Sequence, residues 1–159
     1  MGPMFKSLMD FIDGLAPLDG AAAARKPSIQ LAAAVLLVEV MRADADYSQL
    51  ERAAVRRALI ELFPQSESEA DVLMTQAESS SRMASDLFAF TSPIDELWDM
   101  PAKLRLVELM WGVAYADGRL SEIERHTMLR IVYLLHIPPG AQVHARMRAK
   151  AAAGLDHED

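Results

Sequence analysis

Residues 35–63 read VLLVEVMRADADYSQLERAAVRRALIELF, and residues 108–136 read ELMWGVAYADGRLSEIERHTMLRIVYLLH. The two stretches align at an offset of 73 residues, with nine of 29 positions identical: Leu36/Leu109, Val40/Val113, Ala43/Ala116, Asp44/Asp117, Ser48/Ser121, Glu51/Glu124, Arg52/Arg125, Arg57/Arg130 and Leu62/Leu135. The polar identities cluster as A-D-x-x-x-S-x-x-E-R. Each copy predicts a helix, a short loop with an acidic residue at its entrance, and a second helix. Duplicated helical hairpins are expected to pack about a pseudo-two-fold axis, with the two loops facing one another or lying at related surfaces.

Ser28 is a good N-cap for the first helix, which should run to about Ala43 with Ala32, Ala33, Leu36, Leu37, Val40 and Met41 on one wide apolar stripe. The second helix runs from Gln49 to Phe63 and is stopped by Pro64. Ser66 and Glu69 form a capping box for a third, which extends as far as Phe90 with a kink or break at Ser79–Ser81. Those serines have no adjacent base and read as a solvated helix surface. Thr91-Ser92-Pro93 opens a short helix bearing Ile94, Leu97 and Trp98. Asp99 caps the next, with Pro101 in its first turn. Another runs from Glu122 to about His136, and after Pro138-Pro139 an alanine-rich helix ends near Gly154. No segment alternates at period two. The expectation is an all-α fold of seven to eight helices with mostly short connections.

The sequence divides into three segments. Residues 1–27 hold an amphipathic stretch, with Phe5, Leu8, Met9, Ile12 and Leu15 at helical spacing, and then a linker broken by Pro17, Gly20 and Pro27. Residues 28–154 form the helical domain, and residues 155–159 a short tail. The amphipathic stretch reads as a helix docked on the domain, or as an anchor for a partner or membrane surface. Asp10 and Asp13 weaken the membrane reading and exclude a signal peptide.

Composition narrows the function. The chain has 159 residues, 52% of them apolar, which suits one domain with a sizeable core. With no cysteine there are no disulfides, thiolate metal sites or cysteine nucleophiles. The net charge of −7 argues against nucleic-acid binding. The most apolar run, residues 29–40, is interrupted by Gln30 and Glu39 and is too short to span a bilayer. A cytoplasmic protein is the expectation. His126, His136, His144 and His157 make no zinc-protease spacing, and there is no phosphate loop, nucleophile elbow or dinucleotide fingerprint. The chain is therefore not expected to be an enzyme. Its basic stretch, Arg146, Arg148 and Lys150 after His144, either complements a helix C-terminus or meets acidic lipid or an acidic partner.

The repeated loop supports two readings. Ser48-x-x-Glu51 and Ser121-x-x-Glu124 are capping boxes, Asp44 and Asp117 are turn residues, and Gly118 supplies a positive φ. Alternatively, Asp44, Asp46, Ser48 and Glu51 offer the alternating oxygens a hard cation needs. Neither copy is an EF-hand: Gln49 stands where its glycine belongs, and Val55 and Met128 where its bidentate glutamate belongs. A cation would then be shared between segments. Glu39 and Glu108, each in an apolar setting, are further candidates, or else pair locally with Arg42 and Arg105.

The pattern LLVEVMRADADYSQLERAAVRRAL (36–59), followed by LRLVELMWGVAYADGRLSEIERHTMLRIVYLLHI (104–137), resembles the TerB-type tellurite-resistance family over residues 28–138. Its most specific piece is LVELMWGVAYADGRLSEIE. The resemblance implies an all-helical fold with a pseudo-two-fold repeat, and an acidic surface around the loops that takes divalent cations. Calcium or magnesium is expected before zinc. It implies non-enzymatic adaptor or sensing modules in bacterial stress and tellurite-resistance systems, often near membrane partners, with related domains in some J-domain co-chaperones. Carried over by position, the metal residues are Asp44, Glu51, Asp117 and Glu124, with Asp46, Glu39 and Glu108 auxiliary. The chain departs from the pattern at Ala45, where glycine is usual, and at Arg119, where an acid is usual. The alternative reading is a metal-independent interaction scaffold or co-chaperone-like adaptor.

Overall fold

A computed structural model describes residues 27–155. The amphipathic stretch, the linker through residue 26 and most of the tail lie outside the described residues. The described chain is all-helical: α1 (Ile29–Arg42), α2 (Gln49–Leu62), α3 (Glu67–Met83), α4 (Phe88–Leu97), α5 (Met100–Ala114), α6 (Glu122–Leu134) and α7 (Pro139–Ala152).

The apolar run becomes the central helix. Ser28 caps α1 by accepting from the Leu31 amide at 3.1 Å. Every residue from Leu31 to Val38 is buried, as are Val40 and Met41. A helix apolar on all sides must be surrounded, and α1 packs against α2, α3, α4, α5 and α6. The second hairpin, α5–α6, lies against it, with Leu106, Val107, Met110, Trp111, Met128 and Ile131 in the same core. On the far side of α5, α7 is held by Trp111. The indole Nε1 donates to Gln142 Oε1 at 3.2 Å, the Arg146 guanidinium sits 4.8 Å from the ring centroid, and Tyr115 stacks beside it.

The helix ends match the sequence expectations closely except between α3 and α4. The third helix stops at Met83 rather than Phe90, and the fourth begins at Phe88 rather than Thr91. The serines do not break α3. Ser81 is buried and donates to Glu39 Oε2 while accepting from Arg42 Nη1 at 2.6 Å, so its hydroxyl ties α3 to α1 instead of facing water. The break falls at residues 84–87, where the Asp86 carboxylate accepts from the Phe88 amide at 2.8 Å and buried Leu87 anchors the turn. Pro93 is accommodated inside α4, where it cannot donate to the carbonyl one turn back.

Two helices end in Schellman geometry. At the end of α7, Gly154 takes φ 78°, and Leu155 N donates to Lys150 O at 3.0 Å. At the end of α6 the same position is His136 with φ 58°, and Ile137 N donates to Val132 O at 3.2 Å. A non-glycine residue is disfavoured there, and a local network holds it. His136 Nδ1 lies 2.7 Å from Asp95 Oδ2, and buried Lys103 Nζ donates to Asp95 Oδ1 at 2.5 Å and to Leu135 O at 3.0 Å. The lysine, with His136 assisting, holds the Asp95 carboxyl below the usual carboxylate range.

Candidate functional site

Each repeated loop first satisfies its own backbone. Asp44 Oδ1 accepts from the Asp46 amide and Asp117 Oδ1 from the Arg119 amide, each at 3.0 Å. Gly118 takes φ 86° in the second loop, whereas Ala45 in the first keeps a negative φ, so the first copy turns without a left-handed residue. Ser48 and Ser121 then cap α2 and α6. Glu51 N donates to Ser48 Oγ at 3.4 Å and Ser48 N to Glu51 Oε1 at 3.0 Å. The matching distances for Glu124 and Ser121 are 3.1 and 2.9 Å. Both are complete capping boxes.

What lies beyond the boxes is not local. Glu51 is 0% exposed and Glu124 1% exposed. Their carboxyls interact with each other, so the two loop–helix junctions meet inside the protein. One oxygen of each is spent on its serine amide. The other, Oε2 in both, is buried without a hydrogen-bond partner. Two neighbouring buried acceptors with no protein donor between them are satisfied by a shared proton, a water molecule or a cation. Burial, with the neighbouring charges of Glu124 and Asp117, pushes the Glu51 carboxyl up to about 7 against the lowering effect of the Ser48 amide. Burial also raises Glu124, against the lowering influence of the Ser121 amide and of the neighbouring Glu51 carboxyl and Ser121 hydroxyl.

The other candidates are placed elsewhere. Glu39 is engaged by Ser81 and lies 3.8 Å from Arg42. Glu108 accepts from Arg148 Nε at 2.7 Å and lies 4.0 Å from Arg105. Asp46 is exposed, and Arg119 pairs with no carboxylate among the described residues. Of the seven candidates, the structure brings Glu51 and Glu124 into contact, with Asp117 close enough for its charge to act on both. Among the described residues no three His, Asp or Glu side chains form a group that could hold a metal ion. An open groove of about 660 Å³ borders the second loop, walled by α2, α5 and α7 and including Asp117 and Gly118. No described helix is long and apolar enough to cross a membrane.

The sequence reading names neither Lys103 nor Asp95, and names His136 only as a histidine outside any zinc-protease spacing. The available signal was a histidine at a helix end followed by Ile-Pro, a position where glycine is usual. The long-range partners Ser81 and Arg148 had no signal at all.

A family model described as Tellurite resistance protein TerB matches residues 30–147. No curated protein and no solved structure matches the chain.

Proposed function

The chain belongs to the TerB family, and from that premise we propose that it is a non-enzymatic adaptor whose state is set by what lies between Glu51 and Glu124. In the free form this is a proton. In the loaded form it is a divalent cation, calcium or magnesium rather than zinc, since the donors are hard carboxylate oxygens. The observation that supports this is the pair of buried Oε2 atoms without partners. Glu51 and Glu124 would hold the ion, and it would neutralise the charge that burial makes costly. Asp44 and Asp117 guard the loop entrances, each with one oxygen committed to its own turn. Because the two carboxylates sit on different hairpins, occupancy would tie the halves together and alter the surface offered to a partner, within a stress response of the tellurite-resistance type.

A second reading, a cation-independent scaffold, is favoured by the lack of a third carboxylate in the cluster. Thermal unfolding of chelator-stripped protein at pH 8 separates the two, with millimolar calcium, magnesium, manganese or zinc added in turn. A site filled to 100 times its Kd adds about 2.7 kcal/mol. Glu51→Gln with Glu124→Gln keeps both boxes, because glutamine also serves at that position, and should abolish the shift. No shift with any ion, or an equal shift in the double variant, sinks the cation reading and leaves the scaffold.

A further inference from the structure

Leu129 and Tyr133 stand four apart on α6, and Pro139, Val143 and Met147 stand four apart on α7, so each set forms one row. Tyr133 is 78% exposed and Met147 60% exposed. At the turn joining the end of the α6 row to the start of the α7 row is a groove of about 460 Å³ walled by Leu129, Tyr133, Ile137 and Pro139, with His136 and Gln142 its polar lining, and Val143 and Met147 continue the α7 row beyond it. Exposed apolar surface in an open groove marks an interaction site. One cationic side chain stands beside it. Arg130, beside Leu129 and one turn before Tyr133, pairs with no carboxylate among the described residues, and His144 beside Val143 is exposed. The nearby carboxylate, Asp95, is already engaged by Lys103 and His136.

The chain carries a segment that suits this groove. Phe5, Leu8, Met9 and Ile12 stand at i, i+3, i+4 and i+7, the spacing with which an amphipathic helix anchors in an apolar groove. Asp10 and Asp13 outnumber Lys6 in the same segment, which complements Arg130. Residues 16–27 join it to α1, and twelve residues reach up to about 40 Å. A domain of this size has a radius of gyration of about 14 Å, so the tether can run a good part of the way round its surface from the start of α1. A short tether holds its cargo at an effective concentration on the order of millimolar, which favours the chain's own groove over that of a second copy. We propose that residues 5–15 dock in the α6–α7 groove of the same chain. Any partner that uses this groove would have to displace the segment. This proposal is independent of the cation reading.

The chain has no cysteine, so full-length protein with Ser7→Cys can carry a single nitroxide label. Paramagnetic broadening of backbone amide signals should centre on Leu129, Tyr133, Val143 and Met147. Adding Tyr133→Glu should restore those signals with helicity unchanged, since the side chain is largely exposed. Val143→Asp, on the other row, is the parallel variant should Tyr133→Glu misfold. A mixture of nitroxide-labelled chains at natural isotope abundance and isotope-labelled chains without nitroxide should show no broadening. Broadening centred on another face, absent altogether, or unmoved by a folded groove variant overturns the proposal. Broadening in the mixture overturns it in favour of a second copy as the occupant.

Discussion

At the start of α3, Ser66 and Glu69 exchange hydrogen bonds of 3.1 and 2.8 Å at the surface. At the starts of α2 and α6 the same exchange is made by Ser48 with Glu51 and by Ser121 with Glu124, but there both glutamates are sealed inside. The local chemistry is the same in all three. In the open box, water can solvate the second carboxylate oxygen. In the paired boxes that oxygen has no partner, and each glutamate becomes the other's problem. An ordinary capping motif thus acquires a titration and a candidate ion site through tertiary packing alone.

The pH dependence of stability tests that difference directly. With its carboxyl raised to about 7, Glu51 should keep in the folded protein a proton that the unfolded chain releases near the ordinary carboxylate value. The raised group therefore contributes its full stability below about pH 4.5, and this is lost as pH rises through about 7. Urea unfolding followed by circular dichroism should show a fall on the order of 3 kcal/mol across this window in chelated buffer. Glu51→Gln should flatten that dependence, because its amide donates permanently to Glu124 while its carbonyl still accepts from the Ser48 amide. Glu69→Gln should leave the profile as it is. A wild-type profile that stays flat from pH 4.5 to 8 would mean that the pair holds no proton.

The serines of the three boxes should differ as well. Ser48→Ala and Ser121→Ala should each cost about 1 kcal/mol or more, because they leave buried amides short of a partner. Ser66→Ala should cost less, since water replaces the serine. Equal losses at all three would show that burial adds nothing to the box. Between the two repeated loops, Gly118→Ala should cost about 1 kcal/mol at its positive φ, whereas Ala45→Gly should shift stability by only a few tenths.

Much of the fold was legible because its helix ends are written in short-range chemistry. Ser28, Ser48, Ser66, Asp99 and Ser121 all cap the helices that their spacing announced. The α3–α4 break was misplaced because Ser81, a residue with breaker character, is satisfied by Glu39 and Arg42 some forty positions away. The site was legible residue by residue, and its geometry was not. Spacing identified Glu51 and Glu124 as equivalent glutamates, but their burial against each other depends on how two hairpins pack. Glu39 and Glu108 stood out as charges in apolar runs, yet their principal partners, Ser81 and Arg148, lie too far along the chain for local rules to find.

The central position of α1 has a consequence for synthesis. Of the described helices it leaves the ribosome first, yet α5 and α6, which cover it, begin at Met100 and Glu122. At about 5–20 residues per second, the interval before its last partner emerges is on the order of several seconds. Throughout that time a helix apolar on every side has no completed core to enter. Nascent chains stalled before α6 should therefore be the species that chaperones hold longest.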